Sequence, residues 1–289
     1  MHIPVLVNEV VDFLKMSKRN VFVDATLGCG GYTKKILDEI PNCKVVALDW
    51  DRNAVEYSKK YLSSYLEDGR LEILRRSYIE IKEIVSELKL DKVSGVVFDF
   101  GMSTLQLKTN RGFSFEDESF SMSMSGDNNF SAEYVINHYD EKKLSDIFYN
   151  YGEEVLSRKI ARLICEYREK KYIKSAKELA QIIKLNFQKY YRKSRIHPAT
   201  RIFQALRIFV NNELNNVEVG LRNALEVLES SGICVAVSYH SLEDRIVKNI
   251  FKEHGEYEII TKKPVVATKE EIKNNPSSRS AKLRVVRKL

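Results

Sequence analysis

No run of about 18 apolar residues occurs in the 289-residue chain, so no membrane-spanning helix is predicted. Cysteine is scarce and scattered: Cys29, Cys43, Cys165 and Cys234 never pair as Cys-x-x-Cys. That argues against a zinc site and against a disulfide framework. The five histidines show no paired ligand spacing either, and no metal is expected. The first residues, Met1 to Leu6, lack the charged-then-apolar layout of a secretory signal. Internal repeats and low-complexity tracts are absent. Together these absences predict a reduced, cytoplasmic protein. Its length suits one domain plus an insertion. A net charge of +7 and a pI near 9.0 are compatible with a nucleic-acid partner. Charge summed over a chain does not locate a binding patch.

What is present is an interrupted α/β pattern. Short apolar runs at Val21–Asp24, Lys44–Asp49 and Gly95–Phe100 read as parallel strands, and an Asp lies at or near the carboxyl end of each. Leu71–Leu74 reads as a further strand. The intervening Tyr32–Ile40, stopped by Pro41, and Asn53–Leu66 read as helices. From about Thr109 to His197 the pattern is helical without a convincing strand. Strand character returns at Gly232–His240, and alternating Leu283 and Val285 suggest a final strand. The predicted fold is an α/β, Rossmann-like sheet with an inserted all-helical domain. Residues 1–108 and 198–289 form the discontinuous core, and 109–197 form the insertion. In such sheets ligands gather at the carboxyl ends of the strands.

The turn after the first strand is Gly28-Cys29-Gly30-Gly31, followed by a helix. Glycines let backbone approach a ligand closely, and a helix N-terminus offers free N–H groups. A dinucleotide fingerprint would need a third glycine at position 33, where Thr33 stands. The pattern therefore favours S-adenosylmethionine over a nicotinamide cofactor. Asp49 lies where an acid can accept both hydroxyls of a ribose. Asp51 is the better candidate for capping the next helix. Tyr78 follows the third strand, where its ring could face adenine or simply pack. Asp99, in Asp99-Phe100-Gly101-Met102-Ser103-Thr104, lies at the pocket edge near the cofactor's methionine end.

Several motifs in order then carry a resemblance: His2-Ile3-Pro4-Val5-Leu6, Asp24 to Gly31, Asp99-Phe100-Gly101, and Arg111-Gly112-Phe113-Ser114-Phe115. Further on stand Tyr151-Gly152-Glu153-Glu154, Ile196 to Arg207, His240 to Lys248, and Ser278 to Arg284. Over nearly its whole length the chain resembles the bacterial small-subunit rRNA cytosine-N4 methyltransferases. The resemblance implies S-adenosylmethionine-dependent methylation of a cytidine in the decoding region, by a core carrying a helical substrate domain. It places the cofactor on Gly30, Gly31, Tyr32, Asp49, Tyr78, Asp99 and Gln106, and the glycine turn itself adds Gly28 to the expected contacts. Three departures are visible: Tyr32 replaces a usual His, Leu105 a usual Pro, and Ser121-Met122-Ser123-Met124 a usual Asp-Met-Arg-Met.

The exocyclic N4 of cytosine is a poor nucleophile, because its lone pair is delocalised into the ring. An acceptor on the amino hydrogens would favour a pyramidal nitrogen, and Asp99 and Ser103 are the candidates. A Cys nucleophile for carbon methylation would need a Pro-Cys context that is missing. The stretch Lys189-Tyr190-Tyr191-Arg192-Lys193-Ser194-Arg195 interleaves bases with aromatics, a pattern suited to unpaired RNA. Arg192, Lys193 and Arg195 are thus expected on RNA, with Arg279 and Lys282 from the C-terminal basic cluster. Arg111, Arg201 and His240 join them from the shared motifs. His240 faces either the cytosine or its own neighbours Ser241 and Asp244. The expected partner is small-subunit rRNA within a ribosomal particle. A non-catalytic RNA-binding factor and a small-molecule methyltransferase are the competing readings.

Overall fold

The computed structural model describes residues 4–18, 20–126, 130–192, 196–253 and 255–289. They fall into two compact units, 1–105 with 214–289, and 106–213. The first is built on seven strands: β1 (Val21–Asp24), β2 (Lys44–Leu48), β3 (Leu71–Leu74), β4 (Val93–Asp99), β5 (Leu228–Ser238), β6 (Tyr257–Ile259) and β7 (Lys282–Lys288). Their order is β3-β2-β1-β4-β5-β7-β6. β1 to β5 run parallel, whereas β7 is antiparallel to both β5 and β6.

Both faces of this sheet are covered, which is why its strands are nearly continuous apolar runs. Alternation sends Phe22, Val45, Val97 and Val235 to one face, against Leu14 and Ile36. Val23, Val46, Val96 and Ala236 go to the other, against Ile84, Leu221 and Val247. Helices begin where the sequence supplies caps. Asp51 accepts from the Asn53 N–H at 3.0 Å and starts the helix Arg52–Tyr61. Ser77 and Glu80 form a reciprocal capping box. Strand order reverses between β1 and β4, so the turns after β1, β2 and β4 share one edge of the sheet. β6 has no counterpart in the sequence reading: it is three residues long, too short to show a period.

The second unit contains the helices Ala132–His138, Glu141–Gly152, Ser157–Arg168, Ala176–Phe187 and Thr200–Asn211, and no strand among the described residues. Side chains of Ser131, Asp140 and Ser175 cap three of them. The unit is wider than the expected 109–197. Thr200–Asn211, read as resumed core, packs on Glu141–Gly152, where a Cβ on Gly152 would strike the Arg201 carbonyl oxygen. The helical unit therefore runs on to Glu213.

Candidate active site at the carboxyl ends of β1, β2 and β4

Asp24 is wholly buried beneath the glycine turn. Its carboxylate accepts from the Thr26 N–H at 3.2 Å and from the Thr33 hydroxyl at 2.6 Å. It thereby clamps the strand end to the first turn of the helix Gly31–Glu39. Burial pushes its carboxyl up to about 6, against these hydrogen bonds. Gly28 has φ 51°, and its N–H donates to Asp49 Oδ2 at 2.8 Å. Asp49 Oδ1 accepts from the Asp51 N–H at 2.9 Å. Burial lifts Asp49 to about 6 as well.

The other two glycines have packing reasons of their own. A Cβ on Gly30 would lie 2.8 Å from Leu62 Cδ1, and one on Gly31 2.9 Å from Pro4 Cγ. A Cβ on Gly28 would lie 3.7 Å from Ser103 Cβ, which brings the turns after β1 and β4 together. The Tyr32 side chain turns inward and donates to the Val5 carbonyl at 2.5 Å. With its side chain turned inward, Tyr32 offers a ligand its backbone.

Asp99 closes the row. Its N–H donates to the Thr26 hydroxyl at 2.7 Å. Its carboxylate accepts from the Tyr239 hydroxyl and the Gly101 N–H, yet its Oδ1 is buried with no hydrogen-bond partner. Burial pushes Asp99 up to about 7, with Asp24 and Glu243 adding to the rise and Tyr239 and Gly101 opposing it. A buried acceptor atom left unmade costs stability, which makes Asp99 Oδ1 a candidate ligand position. Tyr78 meets Phe98 and Phe100 edge-on at 5.7 and 6.1 Å, packs on Gly220, and stays half-buried. Gln106, the first residue of the helical unit, is buried on the turn Thr104–Leu107.

This set fits a cationic nucleoside. Each oxygen of Asp49 already takes one N–H and keeps a lone pair for a ribose hydroxyl. Asp99 adds negative charge and an unused acceptor.

The expected RNA residues fare unevenly. Lys193 and Arg195 lie outside the described residues. Arg192 is exposed, beside Tyr190, which is 51% exposed and carries Lys189 and Lys159 at 5.2 and 5.6 Å from its ring centre. Lys159 comes from another helix and escaped the sequence reading. Tyr191 is tied to Glu154 at 2.5 Å. Arg111 donates to the Met124 carbonyl at 3.0 Å, and Arg201 to the Glu153 carbonyl at 3.3 Å. Arg279 is exposed. Lys282 and Arg284 both pair with Asp244 at 3.2 and 2.6 Å. The His240 carbonyl accepts from the Asp244 N–H at 3.1 Å, while its ring meets Glu243. Its Nε2 lies 3.0 Å from Glu243 Oε1, and its Nδ1 accepts from the Glu243 N–H at 3.4 Å. Ser123, at the departure from the usual motif, is buried, and Asn211 ties that segment through Met122 O and Met124 N, each at 2.8 Å.

A Rossmann-like sheet of this order, with an antiparallel β7, three strand-end carboxylates and a helical insertion, defines a class I methyltransferase. The chain belongs to the MraW methylase family, whose model matches residues 1–289. It is 45% identical over 292 residues to the ribosomal RNA small subunit methyltransferase H of Sulfurihydrogenibium azorense, covering 100% of this chain and 99% of that one. For the enzyme of the same name from Neorickettsia sennetsu the values are 44% over 293 residues, 100% and 96%. The crystal structure of a candidate rRNA-methylase from Clostridium thermocellum aligns over 100% of both chains with a TM-score of 0.50 and 13% identity. That likeness is one of fold.

Proposed function

We propose that this methyltransferase transfers a methyl group from S-adenosylmethionine to the exocyclic N4 of a cytidine in the decoding region of small-subunit (16S) rRNA. The buried, unpartnered Oδ1 of Asp99 carries this reading. S-adenosylmethionine, when bound, supplies a methyl carbon activated by a positively charged sulfur. Asp49 holds the ribose, the amides at the start of Gly31–Glu39 face the donor's carboxylate end, and Tyr78 lies along the adenine. Asp99 Oδ1 accepts a hydrogen of the acceptor amine and localises its lone pair. It then takes the one proton that the amine must lose and returns it to water. With an acid lifted to about 7, Asp99 is basic enough to do so near neutrality.

RNA is held by the helical unit, where Tyr190 offers a ring for a base while Lys159, Lys189 and Arg192 meet phosphates. Small-subunit rRNA in a ribosomal particle is the substrate. The protein works in the cytoplasm, where its four free thiols persist. A non-catalytic RNA-binding role is less well supported, because the Ser121–Ser123 departure leaves the strand-end carboxylates intact.

Replacing Asp99 by Ala is expected to lower single-turnover methylation of small ribosomal subunits by at least about 100-fold. Labelled-methyl incorporation, mapped to the cytidine, is the measurement. Wild-type turnover by the variant overturns the role of Asp99, and label on another base overturns the substrate.

A further inference from the structure

We propose that Tyr239 is the positioning residue that fixes Asp99 for methyl transfer, holding one carboxylate oxygen so that Oδ1 is left for the acceptor amine. The inference rests on the role given to Asp99 above. Tyr239 follows directly on β5, and β5 pairs with β4 so that Val237 stands beside Asp99. Three contacts fix the tyrosine. Its hydroxyl donates to the Asp99 carboxylate. Its ring packs against Gly101, where a Cβ would come within 2.6 Å of Tyr239 Cε2. Its N–H donates at 2.8 Å to Glu243 Oε2, which also receives the His240 N–H at 3.3 Å. Glu243 is itself buried, so this brace is anchored in the core rather than in solvent.

The charges around the pair explain why such a brace is needed. Asp24 and Glu243 face Asp99, while Tyr32, Glu243 and Glu271 face Tyr239. Tyr32 in turn faces Asp99, Asp24 and Glu271. All of these are acids or phenols, and none is a cation. The carboxylate form of Asp99 is favoured by the hydrogen bonds it accepts, from Tyr239 and from Gly101. The Tyr239 bond performs two tasks with one contact. It sets the carboxylate's rotation, and it favours the charged form that can accept the amine's proton. The same bond pushes the phenol itself upward, so Tyr239 stays protonated and remains a donor across the working range.

Tyr239→Phe removes the hydroxyl and keeps the ring on Gly101. Single-turnover methylation of small ribosomal subunits, with donor and RNA saturating, is expected to fall about 10- to 100-fold, within the range of a misplaced acid–base group. KM for donor and RNA should change less than about threefold, because the variant touches neither binding surface. The acidic limb of the pH–rate profile should move to higher pH, since Asp99 loses a bond that favours its ionised form. A purely structural tyrosine would not move that limb. Gly101→Ala provides the second arm: its Cβ displaces the ring, and with it a hydroxyl that is still present, away from Asp99, and the same limb should move the same way. An unmoved limb in both variants, or turnover within twofold of wild type in Tyr239→Phe, overturns the proposal. If Asp99→Ala is inactive while Tyr239→Phe is normal, only the positioning role fails. If Asp99→Ala is itself normal, the underlying reading fails.

Discussion

The two units of this chain use their polar residues in opposite ways. In the sheet unit, Asp49 and Asp99 stand half-buried at strand ends, desolvation lifting their acids to about 6 and about 7, and Asp99 keeps one buried oxygen with no partner. These groups are held in a costly state, as the proposed donor site requires. In the helical unit the motif residues Arg111, Arg201 and Glu154 instead serve the protein's own loops, through Met124, Glu153, Tyr191 and Leu156. There the accessible chemistry is an exposed ring flanked by lysines. The proposed binding sites thus differ in kind, unsatisfied polar atoms in the sheet unit and exposed groups in the helical unit.

The largest effect that could break this comparison is on donor binding. Asp49→Ala removes the acceptor proposed for two ribose hydroxyls and frees the Gly28 N–H it now holds. Hydrogen bonds to a charged group contribute roughly 1.5–3 kcal/mol each, so the donor's Kd should rise about 100-fold or more by calorimetry. A Kd within threefold of wild type would make Asp49 a loop brace of the same kind as Arg111.

A smaller effect belongs to the helical unit. Replacing Lys159, Lys189 and Arg192 together by Ala should weaken binding to small-subunit rRNA about 10- to 100-fold at fixed moderate salt, with donor affinity unchanged. The salt dependence should fall by about two in log–log slope, at roughly 0.7 per phosphate contact on single strands. If affinity stays and the slope does not move, the cluster around Tyr190 is a solvated surface, and the comparison loses its second half.

The contrast also explains what the sequence could and could not reveal. Asp24, Asp49 and Asp99 were legible because parallel strands end where their apolar runs end, so an acid at that point has one predictable location. Asp51 as cap followed from the same local rule. Tyr239 stood in plain view beside His240, but its role depends on β5 lying next to β4, a pairing between residues far apart in the chain. Lys159 joined Tyr190 through helix packing that no spacing encodes. The end of the insertion was missed for a related reason. Thr200–Asn211 has an amphipathic face that suits either unit, and only its packing on Glu141–Gly152 assigns it. Arg111 and Arg201 look alike in sequence whether they meet phosphate or a carbonyl of their own chain.

A third effect, on stability rather than on binding, tests the cost of dissatisfaction directly. Asp99 has its folded-state acid near 7 and an ordinary unfolded value of 3.8. Because the folded value is the higher, stability from this site is full below 3.8 and is lost as pH rises through about 7. Asp99→Asn carries no charge and loses nothing over that window, yet its amide keeps an oxygen for Tyr239 and Gly101. Asp49 titrates in both proteins, so its effect cancels in the difference; Asp24, which faces Asp99, is relieved of that charge in the variant and shifts the difference in the same direction. The variant's Tm advantage over wild type should therefore be near zero at pH 4, grow as pH rises, and level off above pH 7, by about 2–4 °C for each kcal/mol released. Methylation should be lost across the same range. An advantage that does not grow with pH would mean that Asp99 is already compensated, and that the sheet unit satisfies its polar groups as fully as the helical unit does.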